Sequence, residues 1–314
     1  MRAWVGVTDW DWYQFLAGQR DLPEVNFWQP GGTQAFASLA PGELFLFKLK
    51  YPRNVIAGGG FFVHSTLLPL GMAWDSFGIG NGAPSRAEMK RLIDSHRKKK
   101  GAGGENYTIG CILLAQPFFL PERAWISAPS DWKPNIVQGK GYDLTQEPGV
   151  SLFAQVRSAL QDPASDPSWP ALIHDLPEDP RQRYGQPVLV RPRLGQGSFR
   201  ALVTDAYARR CAITNEKVLP VLEAAHIRPY NLDGPHQVDN GMLLRSDLHR
   251  LFDDGYVTVT PELRVEVSRR IHDEFDNGRA YYELHGRVLR APARPEDAPS
   301  AGYLSWHNAE IYLG

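Results

Sequence analysis

Residues 221–253 place histidine, asparagine and aspartate side chains at spacings suited to proton transfer and metal binding. His226 lies near the end of a largely apolar, extended run, which predicts a position at a strand end. Asn240 is part of an Asn-Gly turn signal. His249 and Asp253 are four residues apart in a segment that reads as a short helix, so their side chains share one helix face.

These residue types in this order can hydrolyse a phosphodiester. A histidine and a carboxylate on one helix face can bind the same divalent cation. A histidine at a strand end can take a proton from an attacking water if its pKa is near neutrality and a cation neutralises the phosphate. The alternative is that His226 and His249 are buried structural histidines and that Asp253 only ends a helix. The ordered set of four residues favours the catalytic interpretation.

Composition limits the class of protein. The chain has 314 residues, 43% of them hydrophobic, with 34 basic and 35 acidic side chains and a net charge of -1. A wholly disordered or fibrous chain is excluded, and no global charge attracts nucleic acid. Cys111 and Cys211 cannot supply a four-cysteine zinc knuckle, and we expect a cytoplasmic protein. The longest apolar stretch, Ile109–Leu120, is too short to span a bilayer, so no membrane partner is expected.

The chain divides into two predicted domains and a linker. Residues 146–180 include a Pro- and Asp-rich stretch without a long amphipathic period, which is typical of a linker, opened by a short helix near Leu152–Leu160. This gives an N-terminal domain over 1–145 and a C-terminal domain over 181–314.

In the first domain, apolar or alternating runs predict strands at Arg2–Thr8, Glu43–Lys50 and Ile109–Leu120. The capping-box sequence 85–88 predicts a helix that continues to about residue 100. Its basic end, 97–100, suits the helix dipole and could also contact phosphate.

The second domain opens with arginines that face one acid, Asp205. They are Arg181, Arg183, Arg191, Arg193, Arg200, Arg209 and Arg210. Guanidinium groups bind phosphate bidentately, so this run indicates a phosphate-binding surface; ordinary surface charge is the alternative.

Residues 211–255 resemble the HNH nuclease family through LEAAHI at 222–227, DNGMLLRSDLH at 239–249 and LFD at 251–253. The resemblance continues over residues 181–314 and implies a ββα-metal fold. It also implies that His226 is the general base, that Asn240 braces the loop, and that His249 and Asp253 are metal ligands. The implied cofactor is one divalent metal ion, most often Mg²⁺ or Mn²⁺, with other transition metals possible.

One departure from the family concerns the residue before the general base. Many HNH nucleases have a metal-binding His or Asp there, whereas this chain has Ala225. Glu223 points the same way from a strand and could supply the oxygen; a water, an ion pair or a loop hydrogen bond are the alternatives. The arginines expected to contact the DNA backbone are Arg193, Arg200, Arg245 and Arg250.

The N-terminal half is similar to EVE domains of the PUA-like superfamily. The similarity rests on 4–11, FWQPGG at 27–32, PGELFLFK at 41–48 and VIAGGG at 55–60. It implies a β-barrel-type fold with helices that binds a flipped, modified base between aromatic walls. The wall candidates are Trp28, Trp10, Trp12, Trp74 and Trp132, with Asp9 and Lys48 as readers of the base edge. The alternative is that these tryptophans fill the core.

Together the two resemblances predict an α+β protein of the modification-dependent restriction endonuclease type. The expected substrate is double-stranded DNA that carries 5-hydroxymethylcytosine or 5-methylcytosine. One HNH site cuts one strand, so a homodimer is possible. Two alternatives stay open. One is an HNH nuclease that acts on RNA or unmodified DNA. The other is a non-catalytic reader of modified nucleic acid, which stays open because Ala225 stands where many HNH nucleases have a metal ligand.

Overall fold

The computed structural model of the protein describes residues 1–31, 35–97, 107–161 and 194–314. The chain forms two compact units, Met1–Gly195 and Gln196–Gly314. Both contain helices and strands, which confirms the predicted α+β class. In the described ranges, no helix is long and apolar enough to cross a membrane.

A seven-stranded mixed sheet forms the first unit. Its strands are β1 (Arg2–Thr8), β2 (Glu24–Gln29), β3 (Leu44–Leu49), β4 (Val55–Pro69), β5 (Thr108–Phe119), β6 (Ile126–Ser127) and β7 (Gly139–Asp143). The strand order is β2-β5-β4-β3-β1-β7, and β6 pairs with β4. β1 and β3 are parallel, whereas β4 is antiparallel to both β3 and β5. Among the described residues no pairing joins β2 to β7, so this path of strands is open.

The three predicted strands correspond to β1, β3 and β5. Every residue of β3 is buried, which explains its continuous apolar run, because a strand covered on both faces has no polar side. The N-terminal core includes the fully buried side chains of Phe45, Phe47 and Phe61.

Among the described residues of this unit, the helices are α1 (Trp10–Ala17), α2 (Leu70–Phe77), α3 (Arg86–His96) and α4 (Gly149–Leu160). The predicted cap is present, because the Ser85 hydroxyl accepts from the Glu88 backbone N–H at 3.2 Å. Helix α3 ends at His96, earlier than predicted, and residues 98–106 lie outside the described ranges.

The predicted linker begins with a helix that belongs to the first unit. Helix α4 buries Leu152, Phe153 and Val156 in the N-terminal core, so the structure extends this unit beyond residue 145. The rest of the predicted linker, 162–180, lies outside the described residues, as do residues 181–193. The linker and the start of the second domain therefore stay predictions.

The second unit has two hairpin-like strand pairs, β8 (Leu222–His226) with β9 (Gly241–Arg245), and β10 (Val257–Val259) with β11 (Val265–Val267). Its helices are α5 (Gln196–Ala206), α6 (Ser246–Asp253), α7 (Arg270–Phe275), α8 (Arg279–Tyr282) and α9 (Ala301–Glu310). Its core contains Phe199, Leu243, Leu248 and Phe252, so α5, β9 and α6 are packed together.

A buried histidine attaches the C-terminal helix to α6. His307 is 2% exposed, its ring stacks on Phe252 at 3.7 Å, and its Nε2 lies 3.1 Å from the Phe252 carbonyl oxygen. The Thr258 hydroxyl lies 2.8 Å from the other ring nitrogen. Burial lowers the pKa of His307 to about 4, so this packing requires the neutral ring.

Candidate nuclease site and aromatic cavity

Strands β8 and β9 and helix α6 bring the predicted chemistry together. The strands are antiparallel with His226 opposite Gly241, and α6 follows β9 directly. A Cβ on Gly241 would lie 2.6 Å from the Val203 side chain and 2.9 Å from Phe199. Glycine therefore lets Phe199 approach, and the Phe199 ring stacks on His226 at 3.9 Å and 11°.

Asn240 is completely buried and braces the loop between the two strands. Its Oδ1 accepts from the Arg228 backbone N–H at 2.9 Å, and its Nδ2 donates to the Arg228 and Pro235 carbonyl oxygens, both at 2.9 Å. All the polar atoms of the amide are thus used within the loop. This geometry matches the bracing role that the family resemblance implies, and it is a positioning role.

His226 is a half-buried imidazole with one nitrogen engaged. Its Nε2 lies 3.0 Å from Nδ1 of His236, a residue of the braced loop. Burial lowers the pKa of His226 to about 4, and the positive charges that His236 and His249 carry when protonated act in the same direction. The ring is therefore neutral at pH 7, which is the form that can accept a proton. Its pKa lies below the near-neutral value that the sequence argument required of a general base.

His249 lies between two carboxylates. Its Nδ1 is 2.6 Å from Glu223 Oε2, and its Nε2 is 3.3 Å from Asp253 Oδ2. The two carboxylates are about half exposed. Because the ring nitrogens point in different directions, Glu223 and Asp253 lie at opposite edges of the imidazole. Partial burial raises the pKa of Asp253, and His249 opposes this effect.

These residues fit a divalent ion in part. The described residues contain no group of three or more His, Cys, Asp or Glu side chains arranged to hold a metal. His249 Nε2 and Asp253 Oδ2 are nevertheless near the roughly 3 Å that separates adjacent ligands of an octahedral ion with ~2.1 Å bonds. Mg²⁺ usually takes only one or two carboxylates and keeps several waters. Glu223 is placed to hold the other ring nitrogen, as carboxylates beside ligating histidines do.

The residue before the general base contributes packing. Ala225 is completely buried and belongs to the hydrophobic core of the second unit. Glu223, two residues earlier, is the exposed acidic residue of β8.

The four arginines predicted to contact DNA have different surroundings. Arg245 makes a two-atom ion pair with Asp247 at 2.6 and 2.7 Å, and Arg250 pairs with Asp254 at 2.8 Å. Arg200 is half-buried on α5. Arg193 lies outside the described residues, as do Arg181, Arg183 and Arg191. Phosphate would compete with a carboxylate at Arg245 and Arg250, and the predicted backbone contacts stay predictions.

A cavity of about 1010 Å³ opens in the first unit beside the end of β1. Its aromatic lining comes from Trp4, Trp12, Phe27, Trp28 and Phe36. Its polar lining includes Asp9, Gln29, Lys50, His96 and Gln138. A cavity of this size in which aromatic walls and polar groups converge is a candidate small-molecule site.

Trp28 is both a wall of this cavity and a buried residue, at 9% exposed. Its Nε1 donates to the Asn81 carbonyl oxygen at 2.9 Å. The Asn81 side chain is bonded in turn to Asn26 at 2.9 Å and to the Ala73 carbonyl oxygen at 3.1 Å. This buried polar network fixes the plane of the indole.

Asp9 provides the charged end of the cavity. Its carboxylate pairs with the ammonium group of Lys50 and lies 3.0 Å from His96 Nε2. The His96 ring also meets the Trp28 ring edge-on at 6.1 Å. Asp9 can therefore present a hydrogen-bond acceptor beside an aromatic surface, and its role as a reader of the base edge stays a prediction.

Of the five predicted wall tryptophans, the structure brings Trp12 and Trp28 to the cavity. Trp10 and Trp12 do not share a face as an extended pair, because they belong to helix α1, where residues two apart diverge. Trp10 instead packs against Trp125, and the Arg53 guanidinium carbon lies 3.5 Å from the centre of the Trp10 ring in a cation–π contact.

Trp74 and Trp132 are absent from the lining of this cavity. Trp74 lies in helix α2 and not in a loop. The Lys48 ammonium lies 4.9 Å from the centre of the Trp132 ring. Lys48 itself is buried and donates to the Leu49 carbonyl oxygen at 3.2 Å, so it does not line the cavity as a base reader.

Sequence reasoning missed His236, Phe199, Trp4 and Phe36 as site residues. His236 follows Gly234 and Pro235 in the loop between His226 and Asn240. Its position between these two predicted site residues was the signal in the sequence that could have identified it. Which loop side chain turns back onto His226 depends on the Asn240 bracing, which a sequence pattern does not specify.

Residues 211–260 match the family model described as HNH endonuclease. This match and the β8–β9–α6 geometry show that the second unit contains an HNH endonuclease domain, and the chain is accordingly a nuclease. HNH nucleases generally use a divalent metal ion, and the residues that could hold it here are those described above. No curated protein matches the chain.

Two solved structures are similar to the chain at low identity. The crystal structure of ASCH from Zymomonas mobilis is 11% identical, covers 48% of this chain and 94% of its own, and has a TM-score of 0.33. The modification-dependent TagI restriction endonuclease is 12% identical, covers 97% of this chain and 81% of its own, and has a TM-score of 0.28. Neither likeness is close enough to define a substrate.

Proposed function

We propose that this nuclease cuts DNA that carries a modified cytosine, and that the cavity of the first unit receives the modified base. The observation that carries the proposal is the aromatic cavity with Asp9 at one end, in the same chain as an HNH domain. A flipped base needs apolar or aromatic walls and a few donors and acceptors. Trp12, Trp28 and Asp9 supply these features.

In the nuclease domain we assign four roles. Neutral His226 takes the proton of the attacking water, since burial holds its pKa well below 7. His249 Nε2 and Asp253 hold the divalent ion, and Glu223 fixes the His249 ring through Nδ1. The ion, when bound, neutralises charge on the scissile phosphate. Asn240 holds the loop that follows His226.

We infer that the predicted linker tethers the nuclease to the reader and so couples base recognition to cleavage. Once the first unit holds a modified base, the effective concentration of the nuclease near that mark rises without any new contact. We infer that cleavage falls at a variable distance from the mark and serves restriction of foreign DNA.

The experiment is a cleavage panel on one duplex sequence. Its cytosines are unmodified, 5-methylated, 5-hydroxymethylated or glucosylated, and an RNA of the same sequence is included. The proposal requires metal-dependent cleavage of at least one modified duplex at a rate well above that of the unmodified duplex. Equal cleavage of all duplexes, or cleavage confined to RNA, would contradict the modified-base assignment and leave the nuclease assignment intact.

A matched pair of variants links the panel to the cavity. Asp9→Asn changes a cavity residue, and Asp11→Asn changes a nearby carboxylate on the exposed side of α1. We expect only Asp9→Asn to reduce the preference for modified DNA.

A further inference from the structure

We propose that His236 is a positioning residue that selects the tautomer of His226 required for proton abstraction. This inference rests on the proposed role of His226 as general base. It starts from the 3.0 Å separation between His226 Nε2 and His236 Nδ1. Two neutral imidazoles in that contact share a single proton, so one ring must donate and the other must accept.

The two assignments have different chemical consequences. If His236 donates, His226 accepts at Nε2 and carries its own proton on Nδ1, so no lone pair remains for water. If His226 donates from Nε2, its Nδ1 has a free lone pair and can accept a proton. In the described part of the chain, the structure shows no hydrogen bond at His226 Nδ1. Only the second assignment gives a working base.

Packing keeps both rings in this arrangement. Phe199 stacks on His226 at 3.9 Å and 11°, and Tyr230 stacks on His236 at 4.5 Å and 6°. Each ring plane is therefore held by a stacked aromatic neighbour. Asn240 braces the loop through the backbone of Pro235, immediately before His236.

The same contact has a role after proton transfer. His226 takes a proton from water on Nδ1, the O–H bond breaks, and its electron pair stays on the hydroxide. The hydroxide forms a new P–O bond while the P–O bond to the leaving sugar oxygen breaks, and that oxygen takes a proton from solvent water. The imidazolium then donates from Nε2 to the bare Nδ1 of His236. A hydrogen bond from a charged donor is about twice as strong as a neutral one, so His236 stabilises the protonated base.

The first test reads the tautomer directly and does not depend on activity. Long-range ¹H–¹⁵N correlation spectra of the wild-type protein at pH 7 should show His226 with its proton on Nε2. A proton on Nδ1 would overturn the proposal whether or not the protein cuts DNA. Spectra of His226→Gln assign the signals.

The second test uses two variants of His236 that separate the effect of its acceptor nitrogen from the effect of ring stacking. His236→Phe keeps a ring to stack on Tyr230 but has no acceptor, whereas His236→Asn has an acceptor near the Nδ1 position but no ring. We expect His236→Phe to lower kcat roughly 10- to 100-fold, part of the ~10²–10⁴-fold that a general base contributes, with KM and Tm little changed. His236→Asn should recover part of the loss.

The pH profile separates positioning from packing. Burial lowers the pKa of His236, and while this ring is neutral it acts on the protonated His226 only as a hydrogen-bond acceptor. Loss of that acceptor in His236→Phe disfavours the imidazolium, so the acidic limb of kcat moves to lower pH. His249 is the other titratable group that acts on His226, and it is unchanged in this variant. Wild-type turnover in His236→Phe would overturn the proposal. So would a loss of turnover that follows the fall in Tm, leaves the acidic limb of the pH profile unshifted and is not recovered in His236→Asn. Lack of wild-type cleavage on every substrate would instead refute the proposed function.

Discussion

Glu223 Oε2 lies 2.6 Å from His249 Nδ1, on the edge of the ring opposite to Asp253. This contact connects β8 to α6 across the nuclease site. It also separates two carboxylates that the sequence alone grouped as possible ligands of one ion. The geometry favours Asp253 as the ligand beside His249 Nε2 and Glu223 as the residue that orients the ring.

Variants at these three positions should therefore differ in their metal dependence. We expect His249→Ala and Asp253→Ala to lose most activity at limiting metal. Glu223→Gln should weaken apparent metal affinity by roughly 10- to 100-fold and recover at excess metal, as expected for an orienting partner. The measurement is activity against Mg²⁺ or Mn²⁺ concentration. Normal cutting by Asp253→Ala at limiting metal would show that Asp253 is not a ligand.

His226→Ala should abolish cleavage and leave binding of modified DNA intact. A general base contributes typically 10²–10⁴-fold to the rate, and the side chain belongs to the unit that does not contain the cavity. His272→Ala, at an exposed histidine of α7, is the control. Parallel loss of binding and cleavage would mark His226 as a structural histidine.

Gly241→Ala should impair the site without changing any polar group. The added Cβ meets Val203 and Phe199, and overpacking of this kind costs about 1–3 kcal/mol. Because Phe199 stacks on His226, we expect a fall in kcat larger than the loss of folded protein explains. Thermal unfolding and single-turnover rates measured below Tm separate the two effects. Unchanged kcat in the folded fraction would show that the Phe199 stack does not position His226.

Stability should fall with acid through His307. The pKa of its folded-state imidazole is about 4, below the unfolded value of 6.5. Between these values the unfolded chain binds more protons, so the free energy of unfolding decreases as pH falls from about 6.5 to 4. The loss is on the order of 3 kcal/mol. Chemical denaturation across this range should show a weaker pH dependence in His307→Phe, and an identical dependence would contradict the assignment.

Trp28→Ala should lose both stability and preference for modified DNA. Its side chain is buried, so truncation costs roughly 3–5 kcal/mol. It also lines the cavity, and base–aromatic stacking is worth about 1–3 kcal/mol. Trp74→Ala, outside the cavity, is the control. A Trp28→Ala protein that keeps its preference whenever it is folded would place the base elsewhere.

Local sequence patterns predicted those features of the fold and the candidate site that lie within one short strand or helix. The extended run ending at His226 and the i, i+4 pair His249–Asp253 appear in the structure as a strand end and one helix face. The capping box at Ser85 also formed. These features depend on residues that are close in sequence, so periodicity and capping rules reach them.

Contacts between distant residues could not be predicted in this way. Trp10 and Trp12 were expected to be extended, but helix α1 separates their faces. The stack of Phe199 on His226 depends on a helix about 25 residues earlier in the chain and on the absence of a side chain at Gly241. Packing decides such contacts, and the sequence pattern gives only the residue types that are available.

The most direct measurement of the central claim is the initial cleavage rate of the wild-type protein on matched duplexes that differ only in cytosine modification, with and without Mg²⁺. We expect metal-dependent cleavage that is much faster on a hydroxymethylated or methylated duplex than on the unmodified one, and that is lost in His226→Ala. Equal rates on modified and unmodified duplexes, at matched protein and metal concentration, would contradict it.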